Sequence, residues 1–206
     1  HKTWPEKHPI AGQPVVLRDY QITIVNKYLT TPQCLQEIAT GAGKTLVTAA
    51  LSERVEKYGR SIVIVPNKDL VRQTFDDYEN LGLDVGVYYG DKKDIGRTHT
   101  ICTWQSLNSI KKRFRDGLDD MSLREFSDGV VCVIVDEVHQ AKADVLKDML
   151  TKEFAHIPLR WGLTGTIPKE DHAKTSLQAC LGEVTNKLSA SELQDMGVLS
   201  NCHVNV

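Results

Sequence analysis

No stretch of this 206-residue sequence approaches the ~20 consecutive apolar residues that span a bilayer, so a transmembrane helix is excluded. Neither sign of charge is in excess: 25 Lys and Arg stand against 27 Asp and Glu, a formal net charge of -2. That rules out a histone-like binder held to nucleic acid by bulk charge, and leaves local basic strips open. The five cysteines (Cys34, Cys102, Cys132, Cys180 and Cys202) include no C-x-x-C pair, and most sit among apolar residues. A disulfide-stapled mini-protein is excluded, and the thiols read as buried and reduced, in a cytosolic protein. There is no signal peptide, internal repeat or low-complexity linker. The chain opens on His1 and stops at Val206 in an apolar stretch, so both ends read as fragment boundaries.

What is present is the composition of a globular domain. Hydrophobic residues make up 41% and charged residues 25%, which excludes a disordered or collagen-like chain. The length suits one large core. Runs rich in Val and Ile occur at 33–39, 61–65, 84–88, 99–103, 130–135 and 160–163. They alternate with stretches of helical length at 17–29, 43–57, 68–80, 105–112 and 142–150. Strands apolar on both faces belong in a parallel sheet covered by helices, and the alternation implies right-handed βαβ units. The expected fold is therefore α/β, a mostly parallel sheet with helices on both faces. The stretch 111–129 begins KKRFR, turns acidic and is expected to be an excursion with one short helix. After Gly165 the pattern weakens, leaving a helix over 191–196 and a final strand as the expectation.

Two local patterns carry chemistry. Thr40, Gly41, Ala42, Gly43, Lys44 and Thr45 follow a strand and open a helix, the context a phosphate-binding loop requires. Glycines let backbone N–H groups approach phosphate oxygens, and the helix N-terminus adds the positive end of its dipole. Lys44 would reach the β- and γ-phosphates, and the Thr45 hydroxyl would ligate Mg²⁺. The loop departs from G-x-x-x-x-G-K-[ST] in placing Ile38 at the first glycine. Farther on, an apolar strand runs into Asp136, Glu137, Val138 and His139. In open parallel sheets ligands sit beyond the carboxyl ends of strands. Asp136 would hold Mg²⁺, Glu137 would act as general base toward water, and His139 would report on the γ-phosphate. Two neighbouring strands are expected to deliver these groups to one rim. A zinc reading of Asp136 and His139 lacks any supporting His/Cys cluster.

Together these strings resemble the first motor domain of superfamily 2 helicases of the DExH type. The resemblance spans most of the chain, with an N-terminal extension over 1–16 and the RecA-like domain over 17–206. Leu17-Arg18-Asp19-Tyr20-Gln21 is similar to the adenine-reading element, which implies nucleotide contacts for Arg18 and Gln21. Val65 to Gln73 resembles motif Ia, implying nucleic-acid contacts for Pro66, Asn67, Lys68 and Arg72. Thr103, Trp104 and Gln105 resemble motif Ib, with Thr103 the better candidate for phosphate and the Trp104 ring equally suited to core packing. Thr164, Gly165 and Thr166 resemble motif III, which couples hydrolysis to movement. The strings T-W-Q-S and G-L-T-G-T look most like UvsW-type phage helicases, ATP-dependent enzymes that unwind branched DNA in recombination and repair. DExH repair helicases and restriction-enzyme motor subunits share several of them.

The resemblance implies ATP and Mg²⁺ as cofactors, and DNA and a C-terminal second RecA-like domain as partners. It also implies a place in the cytoplasm of a bacterial or phage-infected cell. The arginine string Q-x-x-G-R-x-x-R of such a second domain does not occur, so the isolated domain is expected to bind ATP weakly and turn it over slowly. Seven Lys and Arg lie between Lys92 and Arg115 against one acid, Asp94, a strip expected to track a strand without reading bases. Trp4 is a candidate to stack on adenine, with a loose terminus the simpler reading, and Tyr88, Tyr89 and Gly90 read first as edge packing and second as lining of the nucleic-acid side. His99, His156, His172 and His203 have no evident partners. The readings left open are a restriction-enzyme motor subunit, a non-catalytic nucleotide-responsive clamp and a small P-loop kinase. Glu137 argues against the clamp, and the absence of an arginine-bearing lid argues against the kinase.

Overall fold

Val and Ile at alternate positions of each strand face opposite sides of one sheet. In Arg60–Val65, Ile62 and Ile64 enter one core while Val63 and Val65 enter the other. The computed structural model describes residues 16–39, 43–138, 141–166 and 169–197. Within them the strands are β1 (Gln33–Ile38), β2 (Arg60–Val65), β3 (Val85–Tyr89), β4 (Lys92–Lys93), β5 (His99–Thr103), β6 (Val130–Asp136), β7 (Leu159–Thr164) and β8 (Val184–Leu188). They form an eight-stranded sheet in the order β4-β3-β5-β2-β6-β7-β1-β8. Every pairing is parallel except β3 with β4. This is the mostly parallel α/β sheet that the alternating pattern leads one to expect.

The helices are α1 (Asp19–Leu29), α2 (Lys44–Val55), α3 (Lys68–Asn80), α4 (Trp104–Arg115), α5 (Leu123–Phe126), α6 (Ala143–Asp148), α7 (Asp171–Leu181) and α8 (Ala190–Asp195). One core holds apolar side chains of α1, α2, α3 and α8, and the other those of α4, α5, α6 and α7. The sheet is thus covered on both faces. α2 is buried almost all round, with Val47 to Ser52 consecutively inaccessible. None of the helices among the described residues is long and apolar enough to cross a membrane.

Four features depart from the sequence expectations. β7 lies between β1 and β6, so the strands that carry the loop and the acidic pair are not neighbours. α7 and β8 fill the region where the pattern weakens. α7 opens on Asp-His-Ala-Lys-Thr, with its buried Leu177, Cys180 and Leu181 gathered in its last two turns. β8 is a polar edge strand, held partly by Asn186 donating to Gln36 on β1 (3.1 Å). Gly182 joins α7 to β8 at φ 88, where a Cβ would come within 2.7 Å of the Gln33 carbonyl oxygen. α6 continues as a π-helical turn, Met149–Glu153, and β4 is a two-residue hairpin arm. The excursion does hold one short helix, α5. Cys34, Cys102, Cys132 and Cys180 are buried free thiols. Residues 1–15 and 198–206, with Trp4, Cys202 and His203, lie outside the described residues.

Candidate nucleotide site and nucleic-acid groove

The chain leaves β1 at Ala39 and enters α2 through Gly43; Thr40, Gly41 and Ala42 lie outside the described residues, as does His139. Gly43 is the N-cap of α2 at φ 70, in the left-handed region. The conformation favours glycine, and a Cβ there, 2.5 Å from Gln21 Nε2, would push the Gln21 amide aside. Gln21 Nε2 donates to the Gly43 carbonyl (3.4 Å), and its Oε1 accepts the Arg18 backbone N–H (2.8 Å). Gln21 is therefore a buried tie between α1 and the loop, while Arg18 lies exposed at the start of α1.

Lys44 and Thr45 occupy the first turn of α2. Lys44 Nζ stands 3.9 Å from Asp136 Oδ1 and forms its closest ion pair with Glu137. Burial pushes the Lys44 ammonium below its ordinary pKa, and the Asp136 carboxylate opposes that shift. Glu137 is the one non-glycine residue with positive φ (54) among the described residues. Backbone strain thus coincides with the carboxylate that clasps the lysine. β7 fills the gap beneath: Thr164 pairs with Glu37 of β1, and Leu163 pairs with Asp136 of β6. The Thr164 hydroxyl donates to the Thr166 carbonyl (2.7 Å) and accepts the Thr166 N–H (3.2 Å), closing a tight turn with Gly165 at its centre. Tyr28 of α1 donates to the Gly162 carbonyl behind that turn. The structure therefore brings Lys44, Thr45, Asp136, Glu137 and Thr164 to one stretch of the sheet's carboxyl rim.

A second concavity, about 920 Å³, lies farther along the same rim. Val65 of β2 pairs with Thr103 of β5, so the helices that follow, α3 and α4, start side by side. Asn67 caps α3 by accepting the Leu70 N–H (2.9 Å). Thr103 caps α4, accepting the Ser106 N–H (3.2 Å) and bonding the Ser106 hydroxyl (2.7 Å). Gln105 Nε2 donates to the Pro66 carbonyl (3.3 Å), bracing one helix start against the other.

Of the residues expected to meet nucleic acid, Pro66, Asn67, Lys68, Thr103 and Gln105 line this groove, and Arg72 and Trp104 do not. Arg72 turns to Asp69 (3.6 Å) and to the Tyr89 hydroxyl (3.4 Å). Trp104 packs on the α4 side of the core. The Thr103 hydroxyl is buried in its cap, so it is not a donor to the groove, where Lys68 stands at the start of α3. Tyr88, Tyr89, Lys93, Ser109 and Arg113 join the lining. The spacing of Gln105, Ser109 and Arg113 along one face of α4 was the signal available for two of them.

The basic strip is not a continuous track. Arg97 is taken by Asp84 and Asp94 (3.4 Å each), Lys111 by Glu153 (3.0 Å), Arg113 by Asp119 (3.8 Å) and Arg115 by Asp116 (3.2 Å). Three histidines have partners far away in sequence: His99 with Glu56 and Ser61, His156 with Ser127, and His172 with Asp144.

Comparison with known proteins agrees with this geometry. Residues 14–169 match the family described as Type III restriction enzyme, res subunit. The "DNA 3'-5' helicase XPB" of Kineococcus radiotolerans is 28% identical over 170 residues, covering 81% of this chain and 29% of that protein. The "DNA 3'-5' translocase XPB2" of Sulfurisphaera tokodaii is 27% identical over 187 residues, covering 90% and 38%. The chain therefore spans about a third of the length of these relatives. The UvsW helicase of bacteriophage T4 shares the fold, with a TM-score of 0.70 at 18% identity over 84% of this chain and 61% of that one.

Proposed function

The chain belongs to the Type III restriction enzyme res-subunit family, as the first RecA-like domain of a superfamily 2 helicase, and on that premise we propose that it is the nucleotide-binding half of an ATP-driven DNA helicase or translocase. We assign it to branched DNA in recombination and repair, working with a second RecA-like domain supplied by the same motor. The observation that carries the reading is the convergence of Lys44 with Asp136 and Glu137 on the rim that also bears the groove.

The chemistry follows from the positions. The Lys44 ammonium binds the outer phosphates alongside the N–H groups at the start of α2. The incoming phosphate takes over Lys44, and the Glu137 carboxylate is released to accept a proton from the attacking water. Thr45 and Asp136 offer a hydroxyl and a carboxylate oxygen, hard donors that suit Mg²⁺, and those two residues would hold it. Bound there, the ion would screen the charge of the phosphates. The Thr164–Thr166 turn, on the strand between the two halves of the site, couples hydrolysis to movement. In the groove, the paired starts of α3 and α4 hold the sugar-phosphate backbone through main-chain donors, without reading sequence.

The test joins this chain to its second motor domain and measures ATP turnover with and without branched DNA. Turnover stimulated by branched DNA and lost in Lys44→Ala and Glu137→Gln supports the reading; nucleotide binding without turnover sinks it in favour of a clamp. The family's description favours a second reading, the motor subunit of a restriction enzyme. Equal stimulation by unbranched duplex would select that one.

A further inference from the structure

α2 carries Lys44 and Thr45 at its first turn, and directional contacts along its body add to the packing that fixes its place on the sheet. Hydrophobic contact is non-directional. Yet the helix carries buried Thr48 and Ser52 four apart, and Glu56, its exposed C-cap, continues that spacing. Each of the three is engaged. Thr48 Oγ1 donates back to the Thr45 carbonyl (2.8 Å). Ser52 Oγ bonds the Tyr78 hydroxyl of α3 (2.8 Å) and lies 3.4 Å from Ser61 Oγ of β2. Ser61 Oγ is 2.6 Å from Nδ1 of His99 on β5, and His99 Nε2 is 3.0 Å from Glu56 Oε2. Ser52, Ser61, Tyr78 and His99 are all 1% exposed or less. The nucleotide chemistry uses none of them.

We propose that this relay, running from the exposed Glu56 through buried His99, Ser61, Ser52 and Tyr78, is a positioning device that sets the axial register of α2 and through it the placement of Lys44 and Thr45 against the acidic pair. It rests on the nucleotide-site reading and adds a control to it. A carboxylate only accepts, so Glu56 fixes Nε2 of neutral His99 as the donor and Nδ1 as an acceptor. In the neutral form the single proton of Ser61 goes to Nδ1, and the 3.4 Å contact with Ser52, in which Ser61 is the donor, is left unmade. Protonation makes Nδ1 a donor, which frees the Ser61 hydroxyl to donate to Ser52 and turns the Ser52 hydroxyl onto Tyr78, so the change reaches α2.

The groups acting on His99 are Glu56 at the end of α2, Asp84 before β3 and the Tyr78 ring edge on 6.1 Å centroids. Burial lowers the His99 pKa below its ordinary value, and Glu56 and Asp84 oppose that. The neutral form, with Ser61 turned to His99, is therefore present at neutral pH and is lost as pH falls.

The test measures Mg·ADP affinity of the 206-residue chain between acid and neutral pH for wild type, Glu56→Gln, His99→Gln and Ser61→Ala. Comparing variants cancels the titration of the nucleotide's own phosphates. Wild type is expected to lose about tenfold in affinity through the His99 transition, the size expected of a small misplacement of the binding groups. Glu56→Gln moves that step to lower pH, and His99→Gln abolishes it. Ser61→Ala leaves the histidine paired with Glu56 and still abolishes the step. A step that survives Ser61→Ala, or ignores Glu56→Gln, overturns the relay. A chain that binds no nucleotide at any pH overturns the site reading instead.

Discussion

The two ends of the rim solve different problems with different parts. At the β1, β6 and β7 end, charged side chains do the binding, and they are held at an energetic cost. Lys44 is pushed down by burial, and Glu137 sits in left-handed backbone. At the β2 and β5 end, Asn67 and Thr103 are consumed as helix caps, and the groups left for a ligand are main-chain donors at the helix starts with Lys68 and Lys93 beside them. Side-chain chemistry fails all at once when a group is removed. A main-chain cradle fails by degrees, because its donors persist and only their placement degrades.

The sharpest way to break that contrast lies in the first region. In the joined motor, Glu137→Gln is expected to cut turnover by about 10²–10⁴, the range of a general base, while nucleotide binding survives. Lys44→Ala is expected to lose binding itself, as read by titration calorimetry. Next in size are the cations of the groove. Lys68→Ala and Lys93→Ala should each weaken single-stranded DNA evenly across sequences and lower the slope of log affinity against log salt by about 0.7. A slope equal to wild type would show that neither lysine meets a phosphate.

The caps come third. Asn67→Ala and Thr103→Ala should each cost about 1 kcal/mol of stability in chemical denaturation and weaken DNA without changing the salt slope. Comparing Glu137→Gly with Glu137→Ala isolates the backbone. Both lose the carboxylate, and the glycine form should be the more stable by about 1 kcal/mol because it adopts positive φ without clash.

The smallest effect is electrostatic. Lys44 has a lowered pKa in the fold, so the unfolded chain binds more protons between that value and 10.5. Stability should therefore rise with pH through that window. Lys44→Met should flatten this rise in denaturation measured at alkaline pH, and an unchanged rise would place its origin elsewhere.

What could be read from the sequence follows the range of the interaction that decides each feature. The strand into Asp136 and Glu137, and the glycine-flanked Lys44 opening a helix, are written in contiguous residues, so their elements and their polarity were legible. The order of strands is not local, and nothing in 159–164 says that it slips between β1 and β6. α7 and β8 were invisible because their apolar positions are few and their contacts lie elsewhere, such as Asn186 on Gln36. The histidines looked partnerless for the same reason, since Glu56 and Ser61 lie 43 and 38 residues from His99. Thr103 shows the converse limit. Its residue type suits both a cap and a phosphate ligand, and only the geometry separates them.

β2 and β6 are adjacent in the sheet, with Ile64 opposite Val135. One residue past that pair, β6 presents Asp136, and two past it β2 presents Pro66, the carbonyl that anchors Gln105. A displacement at the acidic pair thus has a single ladder spacing, about 4.8 Å, to cross before it tugs on the floor of the groove. On the proposed function, fuel consumption and grip on a polymer are separated by one row of main-chain bonds, too short a lever to need any long-distance transmission.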